Sequence, residues 1–272
     1  MVLEALLNPI KAEKQPWMAF PIGIIYATIG LLVSLFLFQN YASIVSISLT
    51  ALVSIPLIYG AIKLEEKKDM QISDEKILIK EHGKALLFFV FLFLGYTVAF
   101  AVWFAILPPS ITHTAFQAQI DTVAEINSPV TGNAFNLSGA FWTILLNNIK
   151  VLLFCLLFAL LYGFGSIFIL TWNASVFAVV IGSLVKTSVG INFGLFPLVL
   201  LKYSLHGIPE ILAYFMAGLA GGIISIAVIR HDFGSDKFKN VLIDSVDLSV
   251  ASVIVLVIAA LIEVFVSPLI MA

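Results

Sequence analysis

The sequence predicts an all-α integral membrane protein: one polytopic domain, a helical bundle of about seven spans with a discontinuous or re-entrant segment. Three observations carry that expectation. Of the 272 residues, 61% are hydrophobic and 11% charged, with a mean hydropathy of +1.10, whereas soluble domains carry roughly 25% charged residues. Apolar stretches near the ~20 residues that a bilayer core requires recur along the whole chain. Eleven of the fourteen Lys and Arg residues fall on one face of the resulting topology, which by the positive-inside rule places the N-terminus in the cytoplasm and the C-terminus outside the cell membrane.

Residues 1–16 hold a short amphipathic piece, with Leu3, Leu6, Leu7 and Ile10 set against Glu4, Lys11, Glu13 and Lys14, expected to lie on the membrane surface; Trp17 marks the interface. The first span runs over 17–38 and the second over 42–62, joined through Gln39, Asn40 and Tyr41. Residues 63–84 form a charged cytoplasmic loop. Ser73, Asp74 and Glu75 suit a helix start there, and its mixed charges read as a solvated face. The third span, 85–107, stops at Pro108 and Pro109.

An extracytoplasmic loop, 108–140, contains no Lys or Arg. Within it, 112–127 reads as an amphipathic helix capping the outer surface, with His113, Gln117, Asp121 and Glu125 on one stripe and Phe116, Ile120 and Val123 facing elsewhere. The sequon Asn136-Leu137-Ser138 agrees with that location. A fourth span covers 141–170, and Trp172 with Asn173 mark a turn. The pieces 174–186 and 195–205 are each too short to cross alone, so they are expected to form one discontinuous crossing or a re-entrant pair. A competing parse turns at Gly163 to Gly165 and makes 164–186 a full span, with the same number of crossings. The last spans cover 208–229 and 248–271, separated by a short charged loop.

The first apolar stretch is as long as a full span, so no cleavable signal peptide is expected. The lone Cys155 excludes an internal disulfide and a cysteine zinc site. The basic residues sit in short loops and the net charge is −2, which gives no footing for nucleic acid.

The stretch 203–222 asks for an explanation, because His206 and Glu210 interrupt a mostly apolar run. Gly207 frees the backbone and Pro209 is expected to open a helix, placing Glu210 in a first turn whose unpaired N–H groups favour a carboxylate. Beyond it Ala213, Ala217 and Gly221, and likewise Gly218 and Gly222, recur every fourth residue, the small-xxx-small pattern of close helix packing.

Asn147, Asn148 and Lys150 in the fourth span and Glu263 in the last fall at a similar depth in the outer half of the bilayer. They suggest one shared polar site with Lys150 as counter-charge to Glu210 or Glu263. Singly, each has a structural alternative: helix capping by Glu210, a carbonyl bond from His206, helix joining by the asparagines, snorkelling by Lys150. Glu263 has no capping role to explain it. His206, Glu210 and Glu263 have the composition of three metal ligands and equally of a hydrogen-bonded cluster; no His-Glu-x-x-His pair is present, and no metal or cofactor is expected.

With these residues in view, the chain resembles the stage II sporulation protein M family. The resemblance rests on Asn147-Asn148, Gly163 with Gly165, Trp172-Asn173, His206-Gly207 with Glu210, Ala217-Gly218 with Gly221, and Ile258-Ala259-Ala260 through Glu263 to Ser267-Pro268, a core of 141–271. Asn8-Pro9, Glu65-Glu66 and Glu81-His82 look like its archaeal branch. The resemblance implies a membrane protein that in spore formers acts as a scaffold with cell-wall-degrading partners. The leading expectation is therefore a non-enzymatic envelope scaffold whose polar site organises an envelope protein, a lipid headgroup or a homodimer. A transporter or channel for a small solute or ion is the principal rival, and an intramembrane metal enzyme comes third.

Overall fold

The structure, a computed structural model, describes residues 14–72, 75–127, 137–162, 165–191, 196–229 and 235–270. The surface-lying segment expected at the N-terminus, the helix start at Ser73 and Asp74, and Asn136 of the sequon lie outside them. Eight long helices account for nearly everything described: α1 (Ala19–Leu37), α2 (Ala42–Asp69), α3 (Glu75–Ile106), α4 (Pro109–Asn127), α5 (Leu137–Tyr162), α6 (Ser166–Ile191), α7 (Phe196–Ile229) and α8 (Asp236–Leu261). All but α4 are long and apolar enough to cross a bilayer, which makes seven crossings.

A single 3-10 turn, Gln39–Tyr41, joins α1 to α2. Helix pairs in lipid gain little from apolar burial and associate through close packing and hydrogen bonds. Both devices occur here. Gly23 of α1 meets Gly95 of α3 backbone to backbone, and a Cβ on Gly30 would strike Thr50 and the Ser46 carbonyl of α2. The hydroxyls of Ser46, Thr50 and Ser54 each donate to a carbonyl three or four residues back, and Ser54 also shares a 2.6 Å hydrogen bond with Tyr96 of α3. No polar group in that stripe is left to the hydrocarbon.

Helix α7 is the packing centre. Of its apolar window 78% is buried inside the protein, against 28% for α5 and for α8, and its main neighbours are those two helices. Ala213 and Ala217 are fully buried. A Cβ on Gly221 would come 2.5 Å from the Leu156 carbonyl oxygen of α5, and one on Gly218 would come 2.8 Å from Ser166 Oγ of α6. Gly222 is buried too, and Gly207 faces the Phe177 ring.

Three expectations are corrected. Helix α5 ends at Tyr162 and α6 begins at Ser166, as in the competing parse, and Gly165 lies in a turn where any side chain would collide with the Phe158 backbone. Trp172 and Asn173 therefore lie inside α6, where Asn173 Nδ2 donates to the Ile169 carbonyl at 2.8 Å, and α6 crosses as one continuous helix without a broken or re-entrant pair. Second, α7 begins at Phe196 and runs through Pro209, so Glu210 caps nothing. Breaking the backbone would leave several groups unsatisfied at membrane depth, whereas carrying the proline leaves only the Leu205 carbonyl without its usual helical donor. Third, the segment 63–84 is mostly helix: α2 continues to Asp69 and α3 begins at Glu75.

Helix α4 lies across the end of the bundle where α3 stops. His113, Gln117, Asp121 and Glu125 are exposed and Phe116 is buried against Phe100 and Phe104. Gln119, buried, donates from Nε2 to the Ser43 carbonyl at 3.2 Å and to Ser175 Oγ at 3.3 Å, which fastens α4 to α2 and α6. Lys186 of α6 donates to Thr112 Oγ1 and to the Leu107 carbonyl across the α3–α4 bend.

Candidate functional site

Near the α4 end, α6, α7 and the end of α8 enclose a cavity of about 200 Å³ lined by Asn173, Tyr203, His206, Glu210 and Glu263 among apolar residues. One helical face of α7 supplies Tyr203, His206, Gly207 and Glu210, residues three or four apart. His206 Nδ1 lies 3.1 Å from Oγ of the buried Ser267, just past α8. Glu210 Oε1 accepts from the Tyr214 hydroxyl one turn on, at 2.7 Å. That bond orients one carboxylate oxygen.

Glu263 enters because α8 ends in a π-helical turn, Ile262–Val266, followed by a 3-10 turn, Ser267–Ile270. The wider turn shifts the register of the last side chains, and such insertions are frequent at functional sites. Glu263 is near enough to act electrostatically on Glu210. Two carboxylates and an imidazole thus share one chamber.

The other sequence candidates lie elsewhere. Asn147 and Lys150 are exposed on the outside of α5, and no ion pair joins Lys150 to Glu210 or Glu263; the expected counter-charge is absent because α5 turns that face away from α7. Asn148 is buried but does not line the cavity. Among the described residues no three His, Cys, Asp or Glu side chains stand where they would hold a metal ion together.

At the opposite end of the bundle lies a charged cluster that sequence reasoning assigned to solvent. Glu65, Glu66 and Asp69 of α2 are at most 2% exposed, and His82 of α3 is 7% exposed. His82 places Nδ1 2.9 Å from Glu65 Oε2 and Nε2 3.4 Å from Asp69 Oδ1. Lys68 bridges Glu65 and Glu81 at 2.8 and 2.9 Å, and Lys84 reaches Glu81 from the surface. Asp244 of α8 is close enough to act on Asp69 and His82. The signal was present in the spacing: Ile58, Ala61 and Ile62 are followed at the same helical interval by Glu65, Glu66 and Asp69, so the buried stripe of α2 continues unbroken into its charged end.

The profile of the family described as Stage II sporulation protein M matches residues 84–268, reaching well upstream of 141. The uncharacterized protein MJ0793 of Methanocaldococcus jannaschii is 32% identical over 157 residues, which cover 55% of this chain and 83% of that protein. No solved structure matches. His206, Glu210 and Glu263 all lie within the matched segment, and the chain belongs to the stage II sporulation protein M family.

Proposed function

We propose that this protein is a membrane carrier or channel for a small cationic solute, received in the chamber formed by His206, Glu210 and Glu263. The observation that carries the reading is that both carboxylates and the imidazole line one cavity of about 200 Å³. Ionisable groups inside a bilayer are costly and face a bundle interior or a water-filled cavity that serves a substrate or ion path. A purely structural cluster would be packed shut, whereas about 200 Å³ holds several waters or one small organic cation. The absence of Lys or Arg from the chamber's described lining supports a cation as the solute. The Lys and Arg distribution supports an extracytoplasmic mouth, with the N-terminus in the cytoplasm.

The test is flux into liposomes carrying the purified protein, with methylammonium, sodium and potassium as probes. Uptake of at least one probe should exceed that of protein-free vesicles and fall about tenfold or more in Glu210→Gln and Glu263→Gln, each with unchanged elution and melting behaviour. No flux of any probe in the unaltered protein, or full flux in both variants, would overturn the reading.

A scaffold role has one specific observation in its favour. Thr143, Asn147 and Lys150 form an exposed polar stripe on a helix that otherwise shows lipid Trp142, Leu146, Leu153 and Phe154. Such a stripe is suited to a second membrane protein or a second copy of this chain. Disulfide trapping through Asn147→Cys tests it: a cross-linked dimer favours self-association, while monomer and no membrane partner would remove it.

A further inference from the structure

Two aromatic rings, Phe177 of α6 and Tyr203 of α7, line the same chamber as Glu210 and Glu263. Tyr203, Gly207 and Glu210 follow one another along a single face of α7, three or four residues apart. Gly207 lets the Phe177 ring lie against that face, since a Cβ there would stand 3.3 Å from the ring. The Tyr203 ring centroid is 6.3 Å from that of His206. Much of the remaining wall is aliphatic, with Val176 and Val180 of α6, Ile211 of α7 and Val123 of α4.

Such walls discriminate among cations. An alkali or divalent ion that gives up its hydration needs oxygens around it, and here hydrocarbon and rings take most of the lining. A primary ammonium carries three N–H donors, each in want of an acceptor, and one Glu210 oxygen already accepts from Tyr214. Methylation removes those donors, spreads apolar surface over the cation and keeps its charge. A group of that kind is drawn to the faces of aromatic rings as well as to a carboxylate.

Resting on the reading of this chamber as a cation site, we infer that its cation is an N-methylated ammonium, with Phe177 and Tyr203 as the residues that select it over alkali ions and primary amines. Glu210 and Glu263 supply the opposite charge, and the rings and valines meet the methyl groups.

Calorimetric titration of the full chain in dodecyl maltoside, an uncharged detergent, tests selection without requiring flux. The probes are choline, its unmethylated counterpart ethanolamine, potassium, and the uncharged carbon analogue dimethylbutanol. One equivalent of choline should bind, about tenfold or more tightly than ethanolamine or potassium, and dimethylbutanol should not bind. Tyr203→Leu and Phe177→Leu should each weaken choline about tenfold, whereas Tyr203→Phe, which keeps a ring, should stay within about twofold of the unaltered protein. The probe series needs no variant, so the assignment stays testable if a leucine variant fails to fold. No choline binding, equal affinity for any of the other three probes, or undiminished choline binding in both leucine variants would overturn it. Choline bound without flux of any cation into liposomes would sink the carrier reading alone. Potassium or methylammonium flux that choline does not slow would sink the methylated cation alone. A short-chain phosphatidylcholine carries the same group on a lipid: displacement of choline by it assigns the site to a headgroup, and no displacement assigns it to a free ammonium.

Discussion

His82 holds two buried carboxylates together, one through each ring nitrogen. Its replacement by leucine leaves Glu65 and Asp69 without that partner, and removing one member of a buried charge set costs roughly 3–5 kcal/mol. Thermal unfolding of His82→Leu in a fixed detergent should therefore show a large loss. Asp69→Asn should cost less than His82→Leu, since it removes one acid of the cluster while His82 keeps its 2.9 Å contact with Glu65. Gly221→Ala tests the tightest contact of α7: the added Cβ meets a backbone oxygen that cannot swing aside, and overpacking of this kind costs about 1–3 kcal/mol. Single residues differ in how far the sequence reveals them. Glu210 and Glu263 are legible because a carboxyl in an apolar run has nowhere to hide. Glu65 and Asp69 are not, because lysines beside them give the segment the look of a solvated face although the helical stripe turns them inward.

Among the elements, α4 depends on few polar anchors. Gln119→Leu removes both of its bonds to α2 and α6, at about 1 kcal/mol each, and hydrogen exchange across 109–127 should quicken while the spanning helices keep their protection. The amphipathic stripe made α4 readable, although Gln119, on its buried side, went unnoticed. Hydropathy alone misplaces the turn between α5 and α6, since Trp172 and Asn173 offer polarity where the chain needs only a residue without a side chain. Gly165 supplies that. Pro209 misleads in the same way. It is a helix breaker in water, but a bilayer penalises a broken backbone more heavily than one missing hydrogen bond.

For the whole molecule, the topology makes a direct prediction. A membrane-impermeant maleimide should label Gln117→Cys from outside intact cells and should label Lys67→Cys only after permeabilisation; both positions are exposed, and the native Cys155 is buried. The reverse pattern would invert the assigned sidedness. One cavity lies toward the α4 end and another, lined by His82, Asp244 and Met216, toward the charged end, and α7 lines both, with Ile211 at one and Met216 at the other. Five residues of helix axis amount to about 7.5 Å, a small part of the ~30 Å hydrocarbon thickness. With water in both chambers, the resting voltage would drop across that thin septum instead of the full slab. The gradient felt by any ion poised at Glu210 would then be steepened by about fourfold at most, and by less along α8, where the lining residues Ala251 and Glu263 stand about 18 Å apart, so that this part of the bundle would act as the insulating plate between two aqueous electrodes.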